Sequence, residues 1–251
     1  MAEILHHVPY KRNMMRSNYC LKAVLLILSA TSAFSQIQQE RLGLSIGVRS
    51  GFSISSYWGN GVSSFERDLS LSVNGFKSGV LPFFTSGFFV QYEIIPDFLA
   101  IQPEILFLRS GKRWEISPVD GGKANFQVYS DYFHIPLLAK LIIPFVPVTP
   151  SAYAGPSLFI RFKSRSENIA ELSETADLGF LKELTSDKAV SKIIYPLDFG
   201  LTTGFALDII AGTGRFLIDL RYTFGMVDVF HGGKDFRNSA FSLLAGYAWS
   251  Y

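Results

Sequence analysis

From Ser239 to Tyr251 the chain alternates between two faces, with Phe241, Leu243, Ala245, Tyr247, Trp249 and Tyr251 on one and Ala240, Ser242, Leu244, Gly246, Ala248 and Ser250 on the other. A period of two over this length predicts a long β-strand. Gly214 to Gly225 repeats the pattern: Phe216, Ile218, Leu220, Tyr222 and Phe224 share a face, and Arg215, Asp219, Arg221 and Thr223 share the other. Charges of both signs on the face opposite the aromatics suit a strand whose apolar side meets lipid and whose other side lines a polar interior.

Six upstream segments read the same way, at about Leu42–Ser55, Leu81–Ile94, Leu99–Trp114, Gln127–Leu141, Ser151–Phe162 and Tyr195–Asp208. Most exceed the roughly 9 to 11 residues that cross a bilayer when tilted. The connections alternate in length. Short ones fall at Ile95–Asp97, Pro144–Val148 and Ile210–Thr213, and long ones at Tyr57–Val80, Glu115–Ala124, Ser164–Ile194 and Asp228–Asn238. Eight strands with this alternation predict an all-β fold, an eight-stranded antiparallel transmembrane up-and-down β-barrel, closed so that no strand edge is left unpaired. The uncharged stretch Leu141–Ile160 imitates a membrane helix, but Pro144, Pro147, Pro150 and Pro156 argue against one, since each interior proline costs roughly 3 kcal/mol.

The N-terminus changes the picture of charge and compartment. Basic residues Lys11, Arg12, Arg16 and Lys22 precede the apolar run Ala23–Ala30, and Ala33 and Ser35 sit at the small-residue positions of a cleavage site. Residues 1–35 therefore read as a secretory signal peptide, with translation starting near Met14 or Met15, and residues 36–251 as the barrel domain. Export removes those four basic residues and Glu3, so the 23 basic and 21 acidic residues become 19 and 20. A near-neutral chain gives no electrostatic case for nucleic-acid binding. Cys20 is also lost, so the exported chain holds no disulfide.

Several segments carry a resemblance. IGVRSGFSIS (Ile46–Ser55), YSDYFHIPLLAK (Tyr129–Lys140), AYAGPSL (Ala152–Leu158), DFGLTTGFALD (Asp198–Asp208) and LRYTFGM (Leu220–Met226), in this order, resemble the PorT-type outer-membrane β-barrel family of Gram-negative bacteria. The resemblance implies a small eight-stranded barrel in the cell outer membrane. It implies no activity.

The candidate residues follow from the two faces. Arg49, Glu93, Glu104, Lys140, Arg161, Asp198, Asp208, Arg215, Asp219 and Arg221 fall on inward positions, and an eight-stranded barrel is just wide enough for side chains to fill. They are expected to form a lumen network of paired charges, with Arg215 or Arg221 bound to Asp219 or Glu104, more readily than an ion pathway. Trp58, Trp114, Tyr247, Trp249 and Tyr251 at strand ends are expected as interfacial aromatics, Trp58 and Trp114 at one boundary and Trp249 and Tyr251 at the other.

His134 is the lone strand histidine and His231 lies in a loop; neither accompanies a nucleophile elbow or triad, so no enzyme, metal site or cofactor is expected. In Ser164–Ile194, Ile169, Leu172, Ala176, Phe180 and Leu184 recur at helical spacing, with Ser173 and Glu174 as a cap, in a loop expected to fold over the barrel mouth. The expected role is structural or surface-interacting, with outer-membrane lipids and secretion or envelope proteins as partner classes. The alternatives are a narrow pore or accessory of protein export, and a soluble lipocalin-like carrier. A soluble barrel would expose several rows of Phe and Tyr to water.

Overall fold

In the computed structural model, residues 43–72, 75–116, 124–145, 147–167 and 187–251 are described. The signal segment, the alternative starts at Met14 and Met15, and the helical spacing from Ile169 to Leu184 with its cap at Ser173 lie outside them.

Eight long strands form the wall: β1 (Leu44–Trp58), β3 (Leu81–Ile95), β4 (Leu99–Ile116), β5 (Ala124–Ile142), β6 (Val148–Glu167), β7 (Leu197–Ala211), β8 (Gly214–Gly225) and β9 (Arg237–Ser250). A three-residue strand, β2 (Lys77–Gly79), and two helices, α1 (Asn60–Ser72) and α2 (Asp187–Ile193), lie in the connections at one end. Every long strand pairs antiparallel with both neighbours, in the order β1, β3, β4, β5, β6, β7, β8, β9 and back to β1, so the sheet closes. Closure satisfies backbone groups that lipid cannot.

The two faces divide as the alternation requires. Phe52, Phe88, Phe133, Phe199, Phe205 and Phe216 point out of the barrel, 47% to 71% exposed, while Arg49, Gln91, Glu104, His134, Lys140, Asp208, Asp219 and Arg221 are buried inside. Tight connections join the strands at the end that holds Leu44 and Ser250. Asp97 and Gly212 take positive φ, 57° and 63°, in two of them. The strands outrun their expected limits at the opposite end, most of all β5 and β6 with 19 and 20 residues.

The wall is irregular at one place. The β3–β4 ladder runs from the tight turn only as far as Ser86 opposite Phe107, and β4 is next paired at Arg113, by Gly79 of β2. Between these points Ser55 Oγ on β1 bonds the backbone of Gly111 directly, accepting its N–H at 3.0 Å and donating to its carbonyl at 3.1 Å. Position 111 is also crowded from β5, where a Cβ would lie 2.3 Å from the Val128 carbonyl oxygen, so only glycine fits there. The upper halves of β4 and β5 are consequently covered on both faces: Leu108, Ser110, Tyr129 and Asp131 are all buried.

Candidate functional site

The interior and the long-loop mouth hold the residues with chemistry, and they form stacked layers. Nearest the tight turns, Lys140 donates to Asp208 at 2.9 Å and Gln91 at 3.2 Å, and Arg215 reaches Asp208 at 3.4 Å, Glu93 at 3.9 Å and Ser45 at 3.2 Å.

The next layer is a quartet from three strands. Arg221 donates to Glu104 at 2.8 and 3.3 Å and to Asp219 at 3.0 and 3.2 Å, and Arg49 lies 2.8 Å from Asp219 and 3.2 Å from Glu104. Two cations and two carboxylates balance. Tyr153 adds a hydroxyl donor to Asp219 at 2.7 Å, Gln102 donates to Glu104, and Phe89 underlies the Arg49 guanidinium at 4.2 Å. Burying ions is costly unless each is paired and its remaining sites are hydrogen-bonded; here every charge is paired, while Arg49 Nε has no hydrogen-bond partner. Gly204 makes room, since a Cβ there would meet the Tyr153 hydroxyl at 2.4 Å.

Above the quartet lies a layer of hydroxyls. Ser53 bonds Thr85 and Ser242 at 2.6 and 2.7 Å, and Thr202 bonds Ser157, Thr223 and His134 at 2.6, 3.1 and 3.2 Å. His134 is also stacked on Phe159, ring centres 4.6 Å apart. Leu108, Tyr132, Phe159 and Ala240 then form an apolar layer.

The mouth is closed by a core of its own. Val62, Phe65 and Leu69, at helical spacing on one face of α1, pack with Tyr57, Trp114, Phe126, Val128, Val190, Ile194, Val229, Phe230 and Phe236. Glu66 on the same helix ties it to the wall, accepting from Lys112 Nζ at 2.6 Å, Ser78 Oγ at 2.7 Å and Trp114 Nε1 at 3.0 Å. Burial pushes the Glu66 carboxyl up, but these three donors and the Lys112 charge outweigh it and hold the carboxyl below the usual glutamate value. The last loop is locked to α1 as well. Asp228 accepts three backbone N–H groups, from Phe230, Asp235 and Phe236, and Asp235 Oδ2 accepts the Asn60 N–H at 2.7 Å in the first turn of α1.

A closed barrel of this construction, apolar outside and charge-paired inside, belongs to a membrane. The model of a family described as outer membrane protein beta-barrel domain matches residues 34–231. The chain belongs to that family.

No curated relative matches the chain. Among solved structures it is similar to the outer membrane protein OprG of Pseudomonas aeruginosa, at 12% identity and TM-score 0.42, over 86% of this chain and 99% of that one. Outer membrane protein W of E. coli matches at 13% identity and TM-score 0.38, over 85% and 100%. Ail of Yersinia pestis matches at 15% identity and TM-score 0.31, over 82% and 99%.

Placed in the outer membrane, the residues singled out by sequence separate into groups. Arg49, Glu104, Asp219 and Arg221 come together in one layer and Lys140, Asp208, Arg215 and Glu93 in another. Arg215 therefore meets Asp208 and Glu93, not Asp219 or Glu104. Two residues leave the expected network. Asp198 is buried but takes its hydrogen bond from the Asn238 amide at 2.8 Å, not from a cation. Arg161 sits at the mouth, where it donates to the carbonyl oxygens of Ser191, Ile194 and Tyr195 and to Ser164 Oγ, so it fastens the end of α2.

Of the aromatics, Trp58, Trp249 and Tyr251 face outward, 39%, 44% and 57% exposed, and Tyr247 is half-buried against Phe216 and Trp249. Trp114 is a correction. It is 1% exposed, stacked on Phe126 and in edge contact with Phe65, because it shares the inward face of β4 with Glu104, Ser110 and Lys112. The helix α1 and the double coverage of β4 and β5 were not anticipated; Val62, Phe65 and Leu69 at helical spacing were the available signal.

Proposed function

We propose that the protein is a sealed, non-catalytic barrel, exported through a signal peptide cut near Ser35, whose role is carried by the surface of its long-loop end and not by passage through its lumen. The observation that carries this reading is the succession of filled layers. Two charge-paired layers, a hydroxyl layer and two apolar layers lie across the interior, and the last joins residues of the long connections to the ends of β1, β4 and β5.

A loop region with its own apolar core and a threefold-anchored carboxylate is preorganised as a surface, a condition under which binding loses less to ordering. The order of the PorT-type segments along the chain, from Ile46–Ser55 to Leu220–Met226, supports the finer family reading and an envelope or secretion protein as the partner class. Interfacial Trp58, Trp249 and Tyr251 suit anchoring to outer-membrane lipids. His134, hydrogen-bonded to Thr202 inside a filled lumen, supports no catalytic role.

The test is conductance in planar bilayers. Inserted protein is expected to leave the membrane insulating. Discrete, reproducible channel currents that persist across preparations would support the pore reading instead.

A further inference from the structure

Beneath the mouth core the lumen holds a carboxylate that no cation answers. Glu93, Glu104, Asp208 and Asp219 each lie within 3.9 Å of an Arg or Lys. Asp198, at the start of β7, is 2% exposed and takes the Asn238 amide on Oδ2 at 2.8 Å, but no Arg or Lys pairs with it among the described residues. Arg161 on the adjoining strand is turned away, toward Ser164 Oγ and the carbonyl oxygens of Ser191, Ile194 and Tyr195.

Three oxygens gather at this place, each buried and without a hydrogen-bond partner: Asp198 Oδ1, Asn238 Oδ1 and Tyr57 Oη. The backbone N–H groups of Phe199 and Val227 lie toward the carboxylate, yet neither meets Oδ1 in hydrogen-bond geometry. Tyr57 stands directly opposite Asn238 across the β1–β9 ladder. The Asn238 amide also reaches the Tyr132 hydroxyl at 3.5 Å, and Tyr132 is an electrostatic neighbour of both Tyr57 and Asp198. A flipped Asn238 amide would set its oxygen against the carboxylate, so the observed orientation is the stable one and Oδ1 is left as an acceptor. Gly225 leaves the space, since a Cβ there would lie 2.6 Å from Asp198 Oδ2. Apolar packing closes both sides: the Tyr57 ring meets Phe230 and Phe236 above, and Tyr132 packs with Leu108 and Phe159 below.

We propose that Asp198, Asn238 and Tyr57 bind a small hard monovalent cation of the sodium class through these three oxygens. Carboxylate, amide carbonyl and hydroxyl oxygens are the ligands that hard cations select. The charge decides the valence. A buried carboxylate without a counter-charge is costly, one positive charge cancels it, and a divalent ion would leave a net charge in the same apolar surroundings. A proton on Asp198 serves at most one of the other two oxygens, whereas an ion draws on all three. Held there, the ion joins β1, β7 and β9 directly under the loops. The proposal is independent of what the loop surface binds.

The test is urea unfolding of the full chain in detergent micelles, with sodium chloride titrated against choline chloride at constant total salt, so that screening is the same throughout. An ion that binds only the folded barrel raises the midpoint as its concentration passes the dissociation constant. The wild-type midpoint is expected to rise with sodium, and Asp198→Asn to lose that rise. Asp97→Asn, at an exposed turn, should keep it. Tyr57→Phe, which removes one ligand and keeps the packing, should need more sodium for half of the rise, and it carries the comparison if Asp198→Asn does not fold.

Equal wild-type midpoints in the two salts, a sodium dependence that survives in Asp198→Asn, or a Tyr57→Phe titration that superimposes on that of the wild type would each overturn the proposal.

Discussion

Arg221 on β8 reaches across the lumen to Glu104 on β4 and contacts both of its carboxylate oxygens, at 2.8 and 3.3 Å. The two residues are 117 positions apart and lie on strands that are not neighbours in the sheet. Their contact is a strut across the barrel, not a stitch along it. Removing one end leaves Glu104 and Asp219 facing Arg49 alone. Arg221→Ala is expected to destabilise the barrel by about 3–5 kcal/mol, the cost of an uncompensated buried charge, read as a lower urea midpoint in detergent micelles. An unchanged midpoint would mean that water enters this layer freely.

The depth dependence of the lipid face gives a second expectation. Phe205 is 69% exposed midway along β7, whereas Tyr195 precedes the strand. Phe205→Arg should cost about 2–4 kcal/mol and Tyr195→Arg about 0–1 kcal/mol, measured by folding into vesicles.

Trp114 and Trp58 should separate in the same manner. Trp114→Ala removes a fully buried ring that packs on both Phe65 and Phe126, and is expected to cost about 3–5 kcal/mol. Trp58 packs only at the surface, over Arg237 at 4.9 Å, and Trp58→Ala should cost far less. Protease nicking of the Gly59–Val80 connection reports the loosening of the mouth.

Glu66 makes that mouth sensitive to acid. Its carboxyl is held below the usual glutamate value in the folded chain, so the anchoring it provides is complete above the ordinary value of 4.5 and is lost as the pH falls through the lowered one. The protection of α1 amides against hydrogen exchange, taken relative to the intrinsic rate at each pH, should therefore fall below about pH 4.5, and Glu66→Gln should lower that protection at neutral pH and leave it nearly independent of pH over that range.

The wall was legible in the sequence because one physical rule, the alternation of faces, governs every residue of it. Phe216 to Phe224 against Arg215 to Thr223 already states which side meets lipid. The same rule placed Trp114 inside, in phase with Glu104 and Lys112, but the tendency of aromatic residues to gather at membrane boundaries pointed the other way, and packing under α1 prevailed.

Which charges pair was not legible. Arg221 meets Glu104, and Arg215 meets Asp208, only once the stagger of the strands sets their heights, and that stagger is a property of the closed sheet. The break in the β3–β4 ladder was hidden for a similar reason. It depends on Gly111 approaching Ser55 from a strand that is not its neighbour in the sheet.

The most direct test of the account is a nitroxide scan of β9 in reconstituted vesicles, since the sequence holds a single cysteine, Cys20, far from β9 along the chain, and replacing it leaves a cysteine-free background. Single cysteines from Phe241 to Trp249 should give oxygen accessibility with a period of two, high at Phe241, Leu243, Ala245, Tyr247 and Trp249 and low at Ser242, Leu244, Gly246 and Ala248, with a polar nickel reagent excluded from both sets. High nickel accessibility at the even positions would mean a water-filled lumen, and high nickel accessibility at the odd positions would mean that this face does not meet lipid; either would contradict the account.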